Sequence, residues 1–163
     1  MPANTKVDRR CLIAGVGNIL RGDDGVGVRA LEYLERRLDR RKFVFRDFST
    51  QSLDLLNHIT NYRRAFIIDA VDFAGPAGYT RAFCLNDLRS FGGGRGKVSS
   101  HSISLADLLK LCRLLRIEDR VWIIGIQPKD ISWSRGLSRD VSRSLDYVCR
   151  KIIDLWGTHP KEP

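Results

Sequence analysis

Residues 11–31 read CLIAGVGNILRGDDGVGVRAL, with two adjacent aspartates, Asp23 and Asp24, in a glycine-studded middle. A third aspartate, Asp69, ends the apolar run Phe66-Ile67-Ile68. His101 follows a glycine-rich stretch and stands just ahead of Ser104, a helix-capping residue type with Asp107 three positions on. Two carboxylates and an imidazole are hard-to-borderline ligands that suit a divalent first-row metal. Three such ligands leave positions open for water or a substrate group. A metal held that way can polarise a carbonyl or activate water.

Each of these residues also has a plainer reading. Asp23 or Asp24 can favour a helix N-terminus through charge and capping. His101 can be a solvated histidine at a helix start. A dinucleotide site at Gly15-Val16-Gly17 fails its own pattern, because the third glycine position is Leu20. An acid beside it would also repel a pyrophosphate. His58 and His159 have no neighbours in sequence that suggest chemistry. The residue types alone leave metal binding and simple capping both open.

Alternating periodicities define the elements that must position these residues. Arg10 to Ala14 reads as a first strand, and Val26, Ala30, Leu31, Leu34 and Leu38 recur at helical spacing. A strand over Phe43 to Phe48 leads to a short amphipathic helix, Ser52 to Ile59, with Leu53, Leu56 and Ile59 facing inward. Ala65 to Ile68 is continuously apolar, as expected of a central strand buried on both faces. The strand Tyr79 to Leu85 follows too closely for a helical crossover, so it is expected to be antiparallel. A helix then carries Leu105, Leu108, Leu109, Cys112 and Leu115 on one face. Val121 to Ile126 is the last strand, and the last helix shows Val141, Leu145, Val148, Cys149, Ile152 and Trp156.

The expected fold is α/β: a three-layer sandwich with a mostly parallel five-stranded sheet and helices on both faces. Residues 1–163 are expected to form one domain, with a core over about 10–157 and flexible termini. Asp24 and Asp69 then follow the carboxyl ends of parallel strands, where open α/β sheets bind ligands. His101 reaches that rim only if its loop runs back over the sheet.

Composition excludes several classes. No apolar run approaches a membrane span. The opening MPANTKVDRR lacks a signal-peptide core, so a cytoplasmic protein is expected. Cys11, Cys84, Cys112 and Cys149 show no CxxC spacing and sit in apolar segments, which points to buried free thiols rather than structural zinc. The net charge of +9 is spread over polar helix faces, with no recognition helix and no interleaving of aromatic and basic residues. Nucleic acid is therefore not expected as a partner. A monomer is the default expectation.

Four ordered blocks add a resemblance. Gly15-Val16-Gly17-Asn18-Ile19-Leu20-Arg21-Gly22-Asp23-Asp24-Gly25-Val26-Gly27 closely resembles the opening motif of the hydrogenase maturation proteases. Ile68 to Phe73 resembles their second motif, and Ser100-His101 ahead of Ser104 to Leu109 resembles their third. Gly125-Ile126-Gln127-Pro128 with Gly136-Leu137-Ser138 resembles their C-terminal block. The resemblance implies an endopeptidase that removes the C-terminal extension of a nickel-iron hydrogenase large-subunit precursor after nickel insertion. The family's metal-contacting positions carry over as Asp24, Asp69 and His101, which it also implicates in catalysis. The nickel would be supplied by the client precursor. Whether a maturation chaperone joins, and whether Asp23 caps the first helix or tunes its neighbour, stay open. A non-catalytic, metal-sensing assembly factor for the same client is the alternative.

One segment departs from the family's pattern. Where the family has an acid followed by glycine and threonine, this chain has Asp47-Phe48-Ser49-Thr50. Phe48 and Ser49 are candidates to reshape the cleft floor. The basic, glycine-rich stretch Phe91 to Lys97 reads as a lid or as slack.

Overall fold

The computed structural model describes residues 8–49, 52–90 and 105–157. Five strands, β1 (Asp8–Val16), β2 (Phe43–Ser49), β3 (Tyr62–Ala70), β4 (Thr80–Cys84) and β5 (Val121–Ile126), form one sheet in the order β2-β1-β3-β5-β4. Four α-helices accompany them: α1 (Val26–Glu35), α2 (Ser52–Ile59), α3 (Leu105–Leu114) and α4 (Arg139–Gly157). All neighbouring strands pair in parallel except β4 and β5.

β3 lies at the centre because it can be buried on both faces: every residue except Arg63 is buried. Its register pairs Gly15 with Ile68 on one side and Gly125 with Asp69 on the other. The carboxyl ends of β1, β3 and β5 therefore share one rim. The strand expected to be antiparallel is so, but its partner is β5, since β5 inserts between it and β3.

Side chains alternate across the pleat and feed two cores. Cys11, Ile13, Phe66 and Ile68 pack with Val26, Ala30 and Leu34 of α1 and Val141, Leu145 and Ile152 of α4. Leu12, Ala14, Ala65 and Ile67 face the other way, against Leu55 and Ile59 of α2 and Cys112 of α3. The three-layer expectation holds because each face of the sheet has its own apolar stripe to cover it.

The expected helix faces need two corrections. In α2 the buried residues are Leu55 and Ile59, four apart on one face, while Leu56 is only partly buried; Leu53's side chain lies outside the described residues. In α3 Cys112 is buried and Leu115 is 46% exposed, while the side chains of Leu105, Leu108 and Leu109 lie outside the described residues. The cause is the helix end. Arg116 takes φ 54°, Ile117 N–H donates to the Cys112 carbonyl and Arg116 N–H to that of Arg113. This Schellman closure turns the chain before Leu115 can face the core.

The four cysteines are buried and free, as expected. Burial pushes the thiols of Cys11 and Cys112 up, the latter to about 11, so neither is poised as a nucleophile. Among the described residues no helix is long and apolar enough to cross a membrane.

Candidate functional site

The rim is built around two glycines. After β1 the chain turns at Gly17, φ +124°, where a Cβ would lie 1.9 Å from the Asp24 carbonyl oxygen. Only glycine allows the returning chain to pass that close. A short 3-10 turn over Gly22–Gly25 then enters α1. At Gly27 a Cβ would lie 2.1 Å from the Ile68 carbonyl oxygen and 2.3 Å from that of Val16. The start of α1 thus rests directly on the ends of β1 and β3. That contact carries Asp24, three residues before Gly27, towards Asp69, one residue after Ile68.

Asp24 is 2% exposed, and its carboxylate accepts the Asn18 N–H at 3.1 Å. Asp69 is 5% exposed, and among the described residues its carboxylate accepts one hydrogen bond, from the Ala70 N–H at 2.8 Å. Loss of solvent pushes the Asp69 carboxyl up to about 7. The Ala70 N–H opposes this, and the nearby negative charge of Asp24 adds to it. A carboxyl tuned to neutrality beside a second buried carboxylate can exchange a proton at working pH, or bind a cation that supplies the missing partners.

Asp23 is as deeply buried as its neighbour but differently used. Its Oδ2 accepts Lys129 N–H at 2.8 Å, Asp130 N–H at 3.2 Å and Ser138 Oγ–H at 2.8 Å, while Oδ1 accepts Ser138 N–H at 2.7 Å. It does not cap α1: that position is Gly25, and no side chain bonds there. Asp23 instead fastens the segment that follows β5.

Gln127 performs a related task from the end of β5. Its Oε1 accepts Phe73 N–H at 2.6 Å and Gly75 N–H at 3.3 Å, and its Nε2 donates to Asp72 Oδ1 at 3.2 Å. The loops that leave β3 and β5 are thereby joined on the side where Asp69 sits. Sequence reasoning missed both roles. A signal was present for Gln127, a polar residue that follows the apolar run of β5 just as Asp69 follows the apolar run Phe66-Ile67-Ile68.

The departing segment after β2 also resolves. Phe48 is buried in the α2-side core, edge-on to His58 with ring centroids 5.3 Å apart. Ser49 adopts φ 43°, and its carbonyl accepts the Gly17 N–H at 2.8 Å. Asp47 stabilises the turn by accepting both the N–H and the hydroxyl of Ser49, at 2.7 and 2.8 Å.

Of the three site residues expected from sequence, the structure brings Asp24 and Asp69 within electrostatic reach of each other. His101, Ser104 and the 91–97 stretch lie outside the described residues. Among the described residues no three His, Cys, Asp or Glu side chains form a group able to hold a metal ion.

Comparison with known proteins identifies the family. The family model described as hydrogenase maturation protease matches residues 28–155, well over half of the chain. The hydrogenase expression/formation protein HupD of Bradyrhizobium diazoefficiens is 32% identical over 164 residues, covering 96% of this chain and 84% of that protein. The hydrogenase 2 maturation protease of Escherichia coli is 29% identical, with 88% of each chain covered. The solved structure of the [NiFe] hydrogenase maturation protease HybD from Thermococcus kodakarensis superposes with a TM-score of 0.67 at 27% identity, covering 90% of this chain and 98% of that one. Matching family, matching relatives and a matching fold lead to one conclusion: this chain belongs to the hydrogenase maturation protease family and is a peptide hydrolase.

Proposed function

We propose that this chain removes the C-terminal extension of a nickel-iron hydrogenase large-subunit precursor after nickel insertion, and that Asp24, Asp69 and His101 recognise the client's nickel. The observation that carries the reading is the pair of buried rim carboxylates, of which Asp69 keeps a single hydrogen bond among the described residues. A buried carboxylate with so few partners is costly unless a cation or a proton completes it. Oxygen donors of this kind fit a divalent first-row ion. Here that ion is part of the substrate. The reading takes the enzyme as a monomeric, single-domain cytoplasmic protein whose partner is the precursor, with or without a maturation chaperone.

The chain's own residues then have distinct tasks. Asp24 and Asp69 bind and orient the metal-bearing end of the client, so that the scissile peptide is held beside the rim. Whichever of the two carboxylates is not held by the metal takes a proton from the attacking water as it adds to the scissile carbonyl, and passes that proton to the leaving amine as the C–N bond breaks. Bound metal would supply positive charge that polarises the scissile carbonyl. If nickel is only a recognition tag, Asp24 or Asp69 acts as general base without that help.

A cleavage assay tests this. The purified chain is mixed with nickel-loaded large-subunit precursor from the same organism, and the products are weighed. Loss of one defined C-terminal fragment, absent with Asp24→Asn, is the expected result. An intact precursor would overturn the proposal. Cleavage of nickel-free precursor would leave the protease role standing and remove metal from the chemistry.

A further inference from the structure

The segment that Asp23 fastens carries an unusual surface. Trp133 is 77% exposed, and Ile131 is exposed beside it in sequence. Ile19 and Leu20, in the turn that leads to Asp23 and Asp24, are exposed as well. The two stretches are bound to each other along their backbones. Ser134 N–H donates to the Leu20 carbonyl at 3.1 Å, Gly22 N–H to that of Ser134 at 3.0 Å, and Asp23 N–H to that of Asp130 at 3.0 Å. Arg21 Nε–H reaches the Ile131 carbonyl at 3.2 Å. With the four bonds to the Asp23 carboxylate, these hold the segment in one geometry.

A tightly held loop that turns large apolar side chains to water gains nothing for its own folding from that display. Contiguous exposed apolar groups mark interaction surfaces, and a pre-organised one binds at lower entropic cost. This surface is continuous with the rim site. Asn18 donates its N–H to Asp24 and accepts the Leu20 N–H at 2.9 Å, so one residue links the carboxylate to the apolar stretch. A peptide hydrolase must lay a polypeptide across its rim, and the stretches that bear Ile19, Leu20, Ile131 and Trp133 are hydrogen-bonded to the turn that carries Asp24.

We propose that Ile19, Leu20, Ile131 and Trp133 form an apolar wall that grips the precursor polypeptide beside its cleavage point, and that Asp23 is the positioning residue that holds this wall against the turn bearing Asp24. The proposal rests on the peptide-processing reading of the rim above. Asp23 contributes through the loop, not through the chemistry.

The test measures both precursor affinity and cleavage kinetics, with the nickel-loaded precursor as probe. Trp133→Ala, an exposed change that spares folding, should raise Kd and KM about tenfold or more while kcat moves less than twofold. Asp23→Asn, which turns an acceptor into a donor facing the Lys129 and Asp130 N–H groups, should also raise KM. Trp133→Ala should then add little in the Asp23→Asn background, because both act through one wall. A merely structural Asp23 would reduce the yield of folded enzyme and leave KM alone. Unchanged affinity in Trp133→Ala overturns the proposal, as does loss of a wild-type dimer on the same substitution, which would make the wall a contact between copies. If the wild type binds precursor without cutting it, the protease reading falls and the affinity comparison still decides the wall. If it neither cuts nor binds, both fall.

Discussion

Asp23 and Asp69 lie on the same rim and are hidden from solvent to nearly the same degree, yet the first receives four hydrogen bonds and the second, among the described residues, one. Asp23 joins two loops and has its lone pairs occupied. Asp69 has been stripped of water and given little in return, so its carboxyl is pushed up to about 7. Burial therefore does not separate a reactive carboxylate from a scaffolding one; the count of fixed donors does. Asp24 sides with Asp69, since its carboxylate takes the Asn18 N–H.

The sharpest way to break this contrast is to neutralise each acid in turn. Asp24→Asn and Asp69→Asn should each lower precursor cleavage by about a thousandfold or more while the chain stays folded, as single-turnover assays and circular dichroism would report. If either variant cleaves near the wild-type rate, the assignment of that residue fails.

Asp23→Ala should cost stability as well as raise KM. It strands the N–H groups of Lys129, Asp130 and Ser138, and a loss of about 2–4 kcal/mol in urea unfolding is expected. A loss below about 0.5 kcal/mol would mean the loop is held by its backbone contacts alone.

The opposite sign is expected at Asp69. Its folded carboxyl is raised well above the ordinary value of 3.8, so the folded chain holds a proton that the unfolded chain has released. Its contribution to stability is full below about pH 4, declines as pH rises towards about 7, and is lost above it. Metal-free wild type should lose about 2–3 kcal/mol relative to Asp69→Asn between pH 5 and pH 8. Parallel pH profiles for the two would show that Asp69 is better solvated or better bonded than its surroundings indicate.

A control far from the rim carries the smallest effect. Arg116 occupies the left-handed position at the end of α3, φ 54°. Arg116→Gly should stabilise the chain by about 0.5–1 kcal/mol without altering cleavage. A change in cleavage would mean that α3 is coupled to the site.

Much of the fold was legible from periodicity. Val121–Ile126 and Ser52–Ile59 have the bounds their patterns predict, and the other strands differ only by residues at their ends. The misreadings share a cause. Leu55 is more deeply buried than Leu56 in α2, and Leu115 is turned outward past α3, because helix phase and helix endings depend on neighbouring elements and on a single left-handed residue. The candidate site was legible as residue types at strand ends. Its division of labour was not, since Asp23 and Asp24 are adjacent and chemically identical in the chain.

The sequence by itself determined the alternation of strands and helices, the apolar stripes that cover both sheet faces, and the aspartates that end β1's loop and β3. Those features follow from local spacing, which the chain carries within windows of a few residues. Only the tertiary structure decided that β5 separates β3 from β4, that Asp23 is consumed by a segment more than a hundred residues away, and that Asp69, buried beside Asp24, keeps one hydrogen bond among the described residues. Hydrogen-bond satisfaction and desolvation depend on which distant atoms arrive at a carboxylate, and that is set by the packing of the whole sheet rather than by the residues on either side.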